Sequence, residues 1–265
     1  MKEITVVTGP MRSGTSCVTG LLERCGFDLG RNVRILRKKT RYNPMGHFEP
    51  DLLFVINERL LSESSKDMGS LLPPVPEQRS LSRVAAQRDK YFRLFIRKFD
   101  GELFKDPLMC LTLPYWEQHW PELKRAVFCL RHPLAVARSM ENRYKVSVEQ
   151  GLDLWHIYVS RFLNCQKQSS VFIFDFDAFI KEPVDLMESL LNWLGRPMDR
   201  EGIGRHLNGF FSPEYVAFYY GHAELQHIPA HSRDLYLDVR TLKGPLASAN
   251  KKISLCIGDT IPSNV

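Results

Sequence analysis

Residues 3–16 read Glu3-Ile4-Thr5-Val6-Val7-Thr8-Gly9-Pro10-Met11-Arg12-Ser13-Gly14-Thr15-Ser16. The β-branched run from Glu3 to Thr8 predicts a buried strand, and Gly9-Pro10 predicts a turn. From Ser13 onward a helical spacing places Val18, Leu21, Leu22 and Cys25 on one face, with Gly26 as a C-cap. Two glycines separated by four residues, followed by hydroxyl side chains, therefore sit between a strand and a helix. Glycine lets the backbone wrap closely around a phosphate, and the helix start offers unpaired N–H groups and a positive dipole end. Arg12 adds a permanent charge, and Ser13, Thr15 and Ser16 add hydroxyl donors. One departure matters. A nucleotide-hydrolysing P-loop carries lysine after the second glycine, and here that position is Thr15.

Working outward, the strand–helix alternation continues. A helix is predicted over Leu52–Leu61, and Pro73, Pro74 and Pro76 mark an exposed loop. One long basic helix is expected next, with Val84, Phe92, Phe95, Phe99 and Leu103 near one face and its Arg and Lys residues solvated. A short strand ends at Lys105-Asp106-Pro107, and a helix is expected near Trp116 and Trp120. A buried strand Ala126–Leu130 ends at Arg131-His132-Pro133, with Pro133 in the first turn of the following helix. A helix over Val148–Gln166, a strand Val171–Phe174 ending at Asp175, and a helix Val184–Leu194 stopped by Gly195 complete the pattern. Residues 27–50 read as basic and irregular. This order predicts an α/β fold of P-loop-like type, three layers α/β/α around a central parallel sheet. Ligands of such sheets bind beyond the carboxyl ends of the strands, where the chemically suggestive residues all fall.

The chain has 265 residues, a net charge of +6 and a pI of about 9.0. It reads as a single domain over 1–265, with 199–265 as a C-terminal extension. The basic balance suits polyanionic partners such as nucleotides or acidic glycans, or simply a solvated surface. Cys17, Cys25, Cys110, Cys129, Cys165 and Cys256 show no metal-ligand spacing and read as buried thiols of a reducing compartment. No apolar run is long enough to span a bilayer, and the first strand leaves no room for a signal peptide, so a cytoplasmic location is expected.

A second anion site is suggested by Arg131 at a strand end and Ser139 on the next helix, with Arg138 as a nearby alternative. Taken together, the Gly9–Ser16 stretch resembles the 5′-phosphosulfate loop of sulfotransferases that use 3′-phosphoadenosine-5′-phosphosulfate (PAPS). Arg131-His132-Pro133 with Ser139 resembles their 3′-phosphate motif. Lys105-Asp106-Pro107 and Asn43-Pro44-Met45-Gly46-His47-Phe48-Glu49 are similar to segments of the bacterial and tyrosyl-protein branches. The resemblance covers about residues 3–195, and no match to the Arg-Lys-Gly segment of the cytosolic branch appears in the tail.

The resemblance implies transfer of a sulfuryl group from PAPS to a hydroxyl or amine of an acceptor, a carbohydrate or small metabolite, releasing PAP. Gly9, Arg12, Ser13, Gly14, Thr15 and Ser16 would hold the phosphosulfate, and Arg131 and Ser139 the 3′-phosphate. Lys105 and Arg12 would answer charge on the bridging oxygen. Glu49 is the first candidate for the base, with His47 competing. A sulfuryl group carries less negative charge than a phosphoryl group, so no metal is expected, and no nucleic-acid partner is expected either. Two other readings stand beside this one. Val171–Asp175 resembles a Walker B strand, which would suit a P-loop kinase or NTPase using ATP and Mg²⁺. The basic segment Arg83–Lys98 would suit a non-catalytic polyanion-binding module. Trp116, Trp120, Tyr215, Phe218, Tyr219 and Tyr220 are read as core residues rather than acceptor contacts.

Overall fold

The computed structural model describes residues 2–65, 72–165 and 169–246. Its elements in chain order are β1 (Ile4–Thr8), α1 (Thr15–Arg24), β2 (Ile35–Leu36), β3 (Glu49–Pro50), α2 (Asp51–Ser64), α3 (Gln78–Gln87), α4 (Asp89–Lys98) and β4 (Leu103–Lys105). There follow α5 (Met109–His119), β5 (Leu123–Leu130), α6 (Pro133–Tyr144), α7 (Val148–Asn164), β6 (Ser170–Asp175), α8 (Phe176–Lys181), α9 (Pro183–Trp193), α10 (Arg200–Leu207), α11 (Ala230–Thr241) and β7 (Gly244–Pro245).

The main sheet runs β4-β1-β5-β6-β7. Its first four strands are parallel, so their carboxyl ends share one edge, and β7 closes the far side antiparallel to β6. The α/β reading therefore holds, with a short antiparallel edge strand added. Successive residues of each strand face opposite layers. On β5, Ala126, Phe128 and Leu130 enter one apolar cluster while Val127 and Cys129 enter the other. The first layer holds Trp155, Tyr158 and Phe162 of α7, where Phe162 stacks on Phe128 with centroids 4.2 Å apart. The second holds Val18, Leu21 and Leu22 of α1 and Leu190 and Leu191 of α9. Sheets buried on both faces need such continuous apolar strands.

The sequence expectations need five corrections. The long basic helix is two helices, α3 and α4, broken at Arg88 (φ −119°, ψ 29°). Leu103 belongs to β4 and packs in the opposite layer from Phe92 and Phe95. The stretch 27–50 carries a two-residue ladder in which Leu36 pairs with Glu49. Tyr215 and Tyr219 are exposed and Phe218 and Tyr220 half-buried, so only Trp116 and Trp120 of the aromatic group are core. Cys25 and Cys165 are partly exposed, whereas Cys17, Cys110 and Cys129 are buried. Gln166, Cys256 and the tail beyond Leu246 lie outside the described residues. Among the described residues no helix is long and apolar enough to cross a membrane.

Behind the sheet edge a buried polar relay fixes the end of β4. Asn57 of α2 accepts from Trp116 Nε1 (2.8 Å) and Thr112 Oγ1 (3.0 Å) and donates to Asp106 Oδ2 (2.8 Å). The other Asp106 oxygen accepts from the Leu108 N–H. Burial pushes the Asp106 carboxyl up to about 7, against the pull of the Asn57 hydrogen bond. A raised carboxyl pKa means that, between the ordinary carboxylate range and about 7, the native chain holds a proton the unfolded chain has released. Stability therefore falls as pH rises through that window. Asp106→Asn places a second amide against Asn57 and is less stable than the parent at about pH 5. The deficit narrows steadily to about pH 8, because only the parent bears the ionisation cost; urea midpoints at both pH values test this.

Candidate active site

The site grows from the local chemistry of β1's carboxyl end. Gly9 (φ 147°), Arg12 (φ 73°) and Gly14 (φ 93°) all take positive φ, so the loop curls on itself before α1 begins. A Cβ at Gly9 would stand 2.4 Å from the Cys129 carbonyl, and one at Gly14 would stand 2.3 Å from the Phe176 ring. The glycines are therefore required by contact as well as by conformation. Arg12 has no such licence, and a strained non-glycine residue at a strand end is a mark of a functional loop. Helix α1 starts at Thr15 with Gly14 as an uncapped N-terminus, so Ser13 is not its cap. The Ser13 Oγ is buried without a hydrogen-bond partner. We expect Gly14→Ala to lower unfolding free energy by about 1–3 kcal/mol, read from denaturant titration, because the methyl group overlaps an immobile ring.

The other strand ends bring their residues to the same place. Lys105 ends β4 and is 2% exposed. Arg131 directly follows β5 and is 7% exposed. A cavity of about 720 Å³ opens at this edge, lined by Arg12, Gly14, Thr15, Ser16, His47, Glu49, Lys105, Arg131 and Ser139. Gly9 and Ser13 sit in the loop behind it. The two arginines lie together: Arg131 Nη1 donates to the Arg12 carbonyl at 2.9 Å, and Arg12 Nε donates to Ser139 Oγ at 3.0 Å. Ser139 is thus joined to Arg12 rather than directly to Arg131. Arg138 instead pairs with Glu141 on the surface and does not line the cavity.

Neither Arg12 nor Arg131 makes an ion pair among the described residues. Each also donates to a backbone carbonyl, Arg12 to Tyr42 and Arg131 to Phe218. Arg131 Nε is buried with no partner, and burial draws this guanidinium down to about 10, still charged at neutral pH. Arg12 is lowered as well, by burial and by the nearby Arg143. Asp177 and Glu49 act on the two guanidiniums only through space, without pairing with them, so the converging positive charge is one that an anion could neutralise.

Glu49, in the stretch read from sequence as irregular, is buried. The β2–β3 ladder buries it to 8% exposure and sets it against Lys105 as an ion pair. Lys105 also donates to Ser16 Oγ (3.2 Å) and the His47 carbonyl (3.3 Å), and Asn43 Nδ2 donates to Ser16 Oγ (3.1 Å). His47 Nδ1 lies 3.8 Å from the other Glu49 oxygen, and burial lowers its pKa, so its ring is neutral at pH 7. The first candidate base and its competitor are side by side.

Asp175 is elsewhere employed. One carboxylate oxygen caps α8 through the Asp177 and Ala178 N–H groups, and the other accepts from Arg240 at 2.9 Å. It does not line the cavity. Several residues here gave no signal in the sequence. The carbonyls of Tyr42 and Phe218 act through backbone that no side-chain pattern encodes. Phe176, with the Arg131 guanidinium 5.6 Å from its ring centroid, read only as an apolar residue after a strand.

No family model and no curated protein matches the chain. Among solved structures it is similar to a sulfotransferase of Mycobacterium avium, with 16% identity, covering 78% of this chain and 68% of that one, at a TM-score of 0.45. It is also similar to the sulfotransferase domain of the Synechococcus PCC 7002 olefin synthase, with 15% identity, 92% and 89% coverage and a TM-score of 0.43. A sulfotransferase of Mycobacterium tuberculosis gives 14% identity, 82% and 75% coverage and a TM-score of 0.44.

Proposed function

We propose that residues 1–265 form one catalytic unit that transfers a sulfuryl group from PAPS to a hydroxyl or amine on a carbohydrate or small metabolite. One observation carries this reading: Arg12, Lys105 and Arg131, from three neighbouring strand ends, meet in one cavity, and neither arginine has a carboxylate partner among the described residues. In this reading the Gly9–Ser16 loop and the unpaired N–H groups of α1 hold the phosphosulfate. Arg131 and Ser139 hold the 3′-phosphate. The orphaned Ser13 Oγ and Arg131 Nε supply donors that an anionic occupant would satisfy.

The chemistry follows from the Lys105–Glu49 pair. With the donor bound, the Lys105 ammonium turns to the oxygen bridging sulfur and phosphate, and Glu49 loses its cationic partner. Glu49 then takes the acceptor's proton as the acceptor–sulfur bond forms. The bond from sulfur to the bridging oxygen breaks, and its electron pair leaves on the 5′-phosphate of PAP, opposite Lys105. The cavity's other parts position rather than react.

The kinase reading requires Asp175 at the phosphates, and Asp175 is held by α8 and Arg240. Thermal unfolding compares the two directly. PAP at about 100 times its dissociation constant adds ~2.7 kcal/mol and raises Tm, while ATP with Mg²⁺ leaves it unchanged. A shift with ATP and none with PAP reverses the assignment.

A further inference from the structure

The cavity holds more positive charge than the proposed donor engages. Lys38, Arg41 and Arg143 also line it, and none makes an ion pair among the described residues. Arg143 is half-buried on α6, one helical turn beyond Ser139 and on the same face. Its guanidinium lies 5.3 Å from the ring centroids of both Tyr42 and Tyr144, so it is fixed between two aromatic faces rather than free in solvent. Arg41 lies on the same Tyr42 ring at 4.5 Å. Arg143 is near enough to act electrostatically on both Arg12 and His47. Some arginines elsewhere take a nearby carboxylate, as Arg37 does with Glu23, Arg88 with Glu63 and Arg205 with Glu201. Arg59, Arg83 and Arg97 are exposed and make no ion pair among the described residues, but unlike them Arg41 and Arg143 converge on one cavity. Glu58 and Glu214 line the same cavity, yet neither pairs with these three cations.

Resting on the sulfotransferase reading above, we propose that Lys38, Arg41 and Arg143 form the acceptor's binding site, and that the acceptor already carries an anionic group, a carboxylate, sulfate or phosphate. A neutral acceptor would leave these three cations to solvent, whereas an anionic one converts them into charge-assisted contacts. The clamped Arg143 loses little further freedom on binding. The same charges repel cationic substrates, so they select as well as attract.

The test uses full-length protein saturated with PAP and titrated calorimetrically with four probes on one aglycone: a para-nitrophenyl glucoside, glucuronide, glucoside sulfate and glucoside phosphate. At least one charged probe should bind about tenfold tighter than the glucoside at low salt, with the advantage shrinking as salt rises. The three charged arms identify which anion is preferred. Arg143→Met should remove most of that advantage while leaving the PAP dissociation constant within about twofold. Lys38→Met with Arg41→Met gives a second variant on an exposed loop, whose folding the change does not threaten. Equal binding of charged and neutral probes overturns the proposal while leaving the sulfotransferase reading intact. Arg143→Met weakening PAP as much as the charged probe also overturns it and assigns Arg143 to the donor. Failure of the parent protein to bind PAP at all refutes the sulfotransferase reading, and this inference with it.

Discussion

Arg131→Met is expected to weaken PAP binding by about two to four orders of magnitude, because in the proposed reading two charge-assisted hydrogen bonds to the 3′-phosphate, each ~1.5–3 kcal/mol, are lost together. Adenosine 5′-phosphosulfate, which lacks that phosphate, loses far less. Calorimetry with both ligands checks the contrast, and equal losses would remove the 3′-phosphate assignment. The variant must be shown to fold, since Arg131 also donates to the carbonyls of Arg12 and Phe218. Trp155 reports on this directly: its indole N–H donates to the Arg131 carbonyl at 3.1 Å, so its near-ultraviolet signal persists if the strand end is intact.

Glu49→Gln lowers kcat for sulfuryl transfer by about 10²–10⁴-fold, the usual contribution of a positioned base, with PAP affinity nearly unchanged. Glutamine keeps the oxygen facing Lys105 but takes no proton. His47→Gln is the discriminating control. Burial keeps His47 neutral at pH 7, so it too has the form a base needs. If His47→Gln, and not Glu49→Gln, collapses kcat, the roles are exchanged. Normal turnover in both variants would place the base elsewhere.

The two predictions differ in how visible their residues were beforehand. Arg131 and Arg12 follow apolar strands whose composition marks them, and parallel pairing then carries their carboxyl ends to one edge. Local sequence contained that much. The burial of Glu49 did not follow from its neighbours. It depends on the Leu36–Glu49 pairing and on Lys105, 56 residues away, and a two-residue ladder leaves no periodic trace. The Asn57–Asp106–Trp116 relay was hidden for the same reason: each member looks like an ordinary residue until the fold joins three segments. The break at Arg88 leaves no mark in the sequence, since helical apolar spacing persists on both sides of it. For the tail aromatics ring size suggests burial, whereas packing decides it.

The carbonyls of Tyr42 and Phe218 hold the two guanidiniums that the proposed donor would claim. They come from segments far apart in the chain, and in the proposed reading each would act as an internal competitor. Any affinity measured for a nucleotide is then a net value, the direct attraction less the work of evicting both. Shortening either segment so that its carbonyl no longer reaches would tighten binding without adding a contact, and product would leave faster from the natural chain than from the shortened one.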